Sequence, residues 1–199
     1  MSKIEIKNLK DRIEQLFIDS VAGKLKNSAI PIGKLTESGK TFLQNISGLS
    51  FKDEVTFYLH PSDLRHIYLR HYGTNEKDPS NLAPLTIDDI RNIADVLIHP
   101  DAIAYLGEDQ KGKKFAMFLE NANGCYNLIE VYAESRGKIT PKTYYNAKKG
   151  VSQSAMDLLA QTSETYGATL MFANIPILLE LTNQNYFRST SSSTSGQPC

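Results

Sequence analysis

Cysteine is scarce in this sequence: Cys125 and Cys199 are the only two in 199 residues. A pair makes no disulfide framework, and no Cys₂His₂ spacing accompanies it, so a zinc site is not expected. Both cysteines read as bystanders, and their small number fits a reducing compartment. Long apolar runs are also missing. Nothing approaches the ~18 residues that span a bilayer, and the first ten residues, polar and charged, lack the apolar stretch of a signal peptide. The expectation is a chain with no membrane partner and a cytoplasmic location, in its own cell or in a target or host cell. Net charge is absent too: 22 Lys and Arg balance 22 Asp and Glu. That argues against coating a long duplex, which needs a broad basic footprint.

What remains is the composition of a globular protein, 41% hydrophobic and 22% charged. The length suits one domain with an appendage. Charge is uneven locally: between Glu134 and Gly150 stand Arg136, Lys138, Lys142, Lys148 and Lys149 against Glu134. A patch of that size suits a single phosphodiester.

Periodicity gives the elements. Leu9, Ile13, Leu16, Phe17 and Val21 recur at helical spacing, predicting a first helix over residues 7–21. Ala29 to Ile32 is a short extended piece, and Thr36 caps a helix running to about Ile46. Val55 to Leu59 reads as a strand. Pro61 and Ser62 open a helix from Asp63 to Tyr72 that Gly73 can end as a left-handed cap. Asn75 to Pro84 reads as a loop. Thr86 with Asp89 makes a capping box for one helix to about Ile98. The period then shifts to two: Ala102 to Leu106, Lys113 to Glu120, Tyr126 to Ala133 and Lys138 to Tyr145 read as strands. Asn121-Ala122-Asn123-Gly124 is the hairpin turn, and Pro141 belongs at an edge. Residues 154–166 look helical, Leu170 to Leu181 is an apolar element broken at Pro176, and Ser189 to Cys199 is a low-complexity tail expected to be disordered. Helices followed by a meander of strands indicate an α+β fold, with N-terminal helices packed on a small antiparallel sheet and a C-terminal helical extension. The domain reading is an N-terminal helix over 1–28, a central domain over 29–150, a helical extension over 151–188 and a disordered tail over 189–199.

Two motifs are set aside. Gly33 to Thr41, GKLTESGKT, resembles a phosphate loop but puts five residues, not four, before the Gly-Lys pair. Asp88-Asp89 looks like paired carboxylates, yet neighbours on a helix diverge by ~100°, and the first turn favours carboxylates for its dipole. No other acidic cluster has metal spacing, so no metal site is expected.

Two clusters carry chemistry. In LRHIYLRHY, residues 64–72, Leu64, Ile67, Tyr68 and His71 share one helix side, while Asp63, His66 and Arg70 share another. A core histidine and a solvated face would explain both groups. A histidine pair with arginine is also what acid–base attack on a phosphodiester requires: histidine exchanges protons near pH 7 and arginine holds phosphate bidentately. In PKTYYNAKKG, residues 141–150, Thr143 and Tyr145 share a strand face, with Lys142, Tyr144 and Asn146 on the other. This is either an ordinary edge strand or a set of hydroxyls and lysines for a phosphate.

The order of these pieces, from AIPIGKLTESGKTFLQNISGLSF through VTFYLH, HIYLRHYG, LTIDDIRNIADVLIHPDAI, KKFAMFLE and NLIEVYAE to TPKTYYN, resembles the phage-type nuclease domains of the barnase–EndoU–colicin–RelE superfamily. The likeness runs from about Ala29 to Gly150. It implies a metal-independent endoribonuclease of phage or bacterial toxin type, cleaving RNA by 2′-hydroxyl attack and using no cofactor. The catalytic candidates it implies are His66, Arg70, His71, Thr143 and Tyr145; Lys113, Lys114 and Lys142 are candidate phosphate ligands. Its implied partners are an RNA substrate and an antitoxin or immunity protein. Fold alone does not prove activity. A catalytically inactive RNA- or protein-binding module is one alternative. An ADP-ribosyltransferase using Glu130 or Glu134 is another, although the three-part residue order such an enzyme needs is not visible.

Overall fold

A computed structural model describes residues 2–26, 28–72, 82–110, 112–122, 124–133, 137–148, 169–171 and 175–181. The expected helix at 154–166 and the tail at 189–199 lie outside these residues.

The chain opens with α1, Lys3–Val21, started by a capping box between Ser2 and Glu5. This start is one turn earlier than the apolar period alone indicates. Leu9, Ile13, Leu16 and Phe17 are buried along its inner stripe. Then come β1 (Ile30–Leu35), α2 (Glu37–Ser47), β2 (Thr56–Leu59) and α3 (Pro61–His71). Thr36 caps α2 by accepting from the Gly39 N–H, and Gly48 closes it in the left-handed region at φ 67°. Gly33 and Lys34 therefore lie in a strand that meets a capped helix directly, with no phosphate loop between. Lys40 is tied to Glu37 and to the Asp53 carbonyl.

After α3 come a two-residue strand β3 (Leu82–Ala83), inside the stretch expected as loop, and two short helices, α4 (Ile87–Arg91) and α5 (Ile93–Ile98). The single helix expected here is thus broken at Asn92, whose N–H is shared among three carbonyls. Asp89 caps Thr86 as expected, and its carboxylate also accepts from the Tyr126 hydroxyl.

The meander is β4 (Ala102–Asp109), β5 (Gly112–Asn121), β6 (Gly124–Ala133) and β7 (Lys138–Lys148). Asn121 pairs with Gly124, closing the expected hairpin. The described parts of the C-terminal stretch are strand and irregular chain rather than the expected helical extension. β8 (Thr169–Met171) pairs with β4, and β9 (Leu179–Glu180) pairs with β1. Nine strands form one sheet in the order β8-β4-β5-β6-β7-β2-β1-β9, with β3 also on β7. The fold is α+β, but the sheet is neither small nor wholly antiparallel, because β2 and β7 run parallel.

The helices cover one face. Leu43, Leu64, Ile67, Ile90, Ile93 and Leu97 join Phe57, Phe115, Met117, Leu128, Tyr132, Ile139 and Tyr144 in the main core. On the opposite face Ala102, Ala104, Ala116, Phe118 and Cys125 form a second, smaller cluster. This is the period-two alternation of strands buried on both sides.

Strand β7 is irregular on both of its edges. The edge away from β6 is shared: β2 pairs with Lys138 and Ile139, and β3 with Asn146 and Ala147. Between these partners α3 packs against the strand. The ladder to β6 slips by one residue: Ile129 faces Thr143, whereas Glu130 faces Pro141. Lys142 is the extra residue of a β-bulge. Pro141 sits at this bulge, where a missing N–H costs least.

Candidate active site

The bulge decides which way the candidate hydroxyls point. Before it, Ile139 and Pro141 are buried toward the core; after it, Tyr144 takes that side. Thr143 and Tyr145 are thereby turned to the opposite face, where both are half-buried. An uninterrupted ladder would aim both into the core, since one residue of slip exchanges the faces of a strand. Bulges commonly re-aim side chains in this way near functional sites.

Helix α3 brings the histidine. Leu64 and Ile67 anchor it in the core, and the Phe17 ring of α1 packs on Tyr68 and Tyr72 at 6.1 and 5.2 Å. The Leu85 N–H donates to the His71 carbonyl at 2.6 Å, fixing the last turn. Held so, α3 turns the row Asp63, Ile67, His71, spaced i, i+4, i+8, toward β7 and the core. His71 Nε2 lies 3.4 Å from Thr143 Oγ1, with donor and acceptor set by the histidine tautomer. The His71 and Tyr145 rings are 5.8 Å apart. Near the other end of the helix, Lys142 donates to Asp63 at 3.0 Å.

Not every candidate joins this group. His71, Thr143 and Tyr145 meet, with Lys142 next in the chain. His66 and Arg70 lie exposed on the solvent side of α3; Arg70 directly precedes His71, whereas His66 is most of a half-turn away from it around the helix. Lys113 and Lys114 are half-buried on β5, opposite Tyr132 and Val131, with β6 between them and β7. Asp63 is not on the solvated face with His66 and Arg70: its side chain is only 19% exposed.

Two further titratable groups frame the site. His60, the N-cap of α3, has no role in the sequence patterns. Its pKa is lowered, first by burial, and Lys142 and Lys138 lower it further while Asp63 raises it. The signal for it is position: a histidine directly before Pro61 at a helix start. Glu130, opposite the bulge, is fully buried, and neither carboxyl oxygen has a hydrogen-bond partner. Burial pushes its pKa up to about 8. It alternates with Leu128 and Tyr132 on β6 and so lies on the core side, away from His71 and Thr143. Glu134 lies outside the described residues. The Cys125 thiol, buried in the second cluster, is pushed up to about 12, which leaves it inert as a nucleophile. Among the described residues, no three His, Cys, Asp or Glu side chains gather where they could hold a metal ion. No helix among them is long and apolar enough to cross a membrane.

A half-buried imidazole beside two hydroxyls is an arrangement for moving a proton. The sequence comparison agrees with this class. Residues 35–154, more than half of the chain, match the family model described as phage-Barnase-EndoU-ColicinE5/D-RelE like nuclease3, and the chain belongs to that family. The family is one of nucleases, so the substrate class is nucleic acid. Nothing among curated proteins or solved structures matches the chain.

Proposed function

We propose that the protein is an endoribonuclease of phage or bacterial toxin type that cleaves RNA by internal attack of a 2′-hydroxyl, without a metal ion. The observation that carries the reading is the approach of His71 Nε2 to Thr143 Oγ1 beside the Tyr145 ring. In this reading neutral His71 takes the 2′-hydroxyl proton. The 2′-oxygen bonds to phosphorus, the bond from phosphorus to the 5′-oxygen breaks, and that oxygen takes a proton from the Tyr145 phenol. The products are a 2′,3′-cyclic phosphate and a 5′-hydroxyl. Thr143 donates to a non-bridging oxygen, where negative charge grows, and stabilisation of that kind is usually the largest catalytic term in a partly dehydrated site. Arg70, exposed beside His71, is placed to grip a phosphate from solvent. A toxin of this kind would be paired with an antitoxin or immunity protein.

The test is a single-stranded RNA incubated with the purified chain in EDTA. Cleavage leaving 2′,3′-cyclic ends is expected, and a 2′-deoxy nucleotide at the cleaved step should block it. Absolute dependence on added magnesium, or equal cleavage of DNA, would overturn the mechanism. RNA bound but left intact would make the chain a binding platform.

A further inference from the structure

The outer face of β7 carries more than Thr143 and Tyr145. Lys138 lies on it at the far end, its ammonium 4.5 Å from the centre of the Tyr58 ring. Thr56 of β2 pairs with Lys138, so Tyr58 and then His60 come next along the neighbouring strand toward α3. His60 makes no capping hydrogen bond with its side chain. Asp63, one turn on, holds Lys142. Two lysines and a histidine are therefore gathered around the first turn of an 11-residue helix, with Asp63 opposing them.

That gathering is electrostatically uphill. A helix N-terminus carries the positive end of its dipole and favours anions over cations. The mutual repulsion registers on His60, whose protonation both lysines disfavour. One carboxylate leaves an excess of positive charge that an anion would neutralise. From Lys138 to Thr143, which meets His71, β7 advances about 15 Å at ~3.3 Å per residue, farther than one phosphodiester reaches. An aromatic ring among cations is the pairing that single-strand binders use, the ring stacking an unpaired base and the cations tracking the backbone.

We infer that His60, Lys138 and Lys142 form a second phosphate subsite, beside Tyr58, and that the substrate is a single strand of RNA longer than a dinucleotide laid along the outer face of β7. The inference rests on the ribonuclease reading for the scissile position, but the subsite can be tested apart from it.

The experiment compares kcat/KM for a single-stranded hexaribonucleotide with that for the dinucleotide containing the same cleaved step. One charge-assisted contact changes affinity by about tenfold, so the longer substrate should gain at least that. The ratio should fall several-fold in His60→Gln and Lys138→Gln, both checked for an unchanged melting temperature. A ratio near one in the wild type, or the same ratio in both variants, overturns the subsite while leaving the ribonuclease reading intact. If neither RNA is cleaved, the ribonuclease reading fails, and affinity for the uncleaved hexanucleotide decides the subsite separately. The salt slope should then be shallower by about one in Lys138→Gln; an unchanged slope overturns it. A duplex of the same sequence that competes equally well would overturn the single-strand assignment.

Discussion

His71 Nε2 and Thr143 Oγ1 stand 3.4 Å apart across 72 residues of sequence. The contact exists because α3 is pinned by Phe17, Leu64 and Ile67 on one side and because the bulge at Lys142 turns Thr143 outward on the other. Replacing either partner should therefore affect rate more than folding. His71→Ala and Thr143→Val are each expected to lower RNA cleavage, His71→Ala by about 10²–10⁴-fold. Groups that act as a unit are non-additive, so the double variant should be little worse than the poorer single. Cleavage assays with parallel melting curves check this. Wild-type activity in folded His71→Ala would remove the histidine from the chemistry.

The bulge itself is open to test by deleting Lys142. With the extra residue gone, Thr143 follows Pro141 directly, the pairs Glu130–Pro141 and Ile129–Thr143 become consecutive rungs of a regular ladder, and Thr143 and Tyr145 keep their outward face. The deletion and Lys142→Ala should therefore behave alike, each losing about tenfold in activity with the ammonium and each retaining the fold. A deletion that abolishes activity where Lys142→Ala does not would show that the bulge does more than accommodate its extra residue.

Glu130 makes stability depend on pH in a defined direction. Burial raises its folded pKa to about 8 from an ordinary value of 4.5. Between those values the folded chain keeps a proton that the unfolded chain has released, so stability falls as pH rises through the window and levels off above it. The slope is about 1.4 kcal/mol per pH unit at most. Glu130→Leu should flatten it and raise the melting temperature at pH 8 more than at pH 5. A wild-type melting temperature that climbs from pH 5 to 8 relative to the variant would contradict this.

Gly33 marks where β9 sits down on β1. A Cβ at this position would lie 2.6 Å from the Glu180 carbonyl oxygen and 2.8 Å from the Leu179 side chain. Gly33→Ala should therefore push β9 away and cost about 1–3 kcal/mol, read as a lower denaturation midpoint. An unchanged midpoint would mean that β9 is not seated against Gly33.

How much of the fold and site is legible in the sequence depends on the range of each signal. α1 shows in Leu9, Ile13, Leu16 and Phe17 because helical periodicity is local, and the β5–β6 hairpin shows in its Asn-Gly turn. The pairing of His71 with Thr143 and Tyr145 is visible only as two clusters, since no local pattern tells which helix lies on which strand. Spacing alone misplaces Asp63 because an i, i+4, i+8 row drifts across the helix, and tertiary packing chooses which row turns inward. Pro141 flags an unusual place in β7, but not the register slip beside it. β8 and β9 are too short to show a period, and their partners, β4 and β1, lie far away in the chain. The parallel pairing of β2 with β7 leaves no mark on the intervening sequence.

That parallel pairing also ties the candidate site to the whole fold. β4 to β7 pair between near neighbours in sequence, at little cost in chain entropy, whereas joining β2 to β7 closes a far longer loop. α3 follows β2 directly, so His71 meets Thr143 only where that long closure is made. An opening that parts β2 from β7 would separate the histidine from the hydroxyls and leave the meander paired.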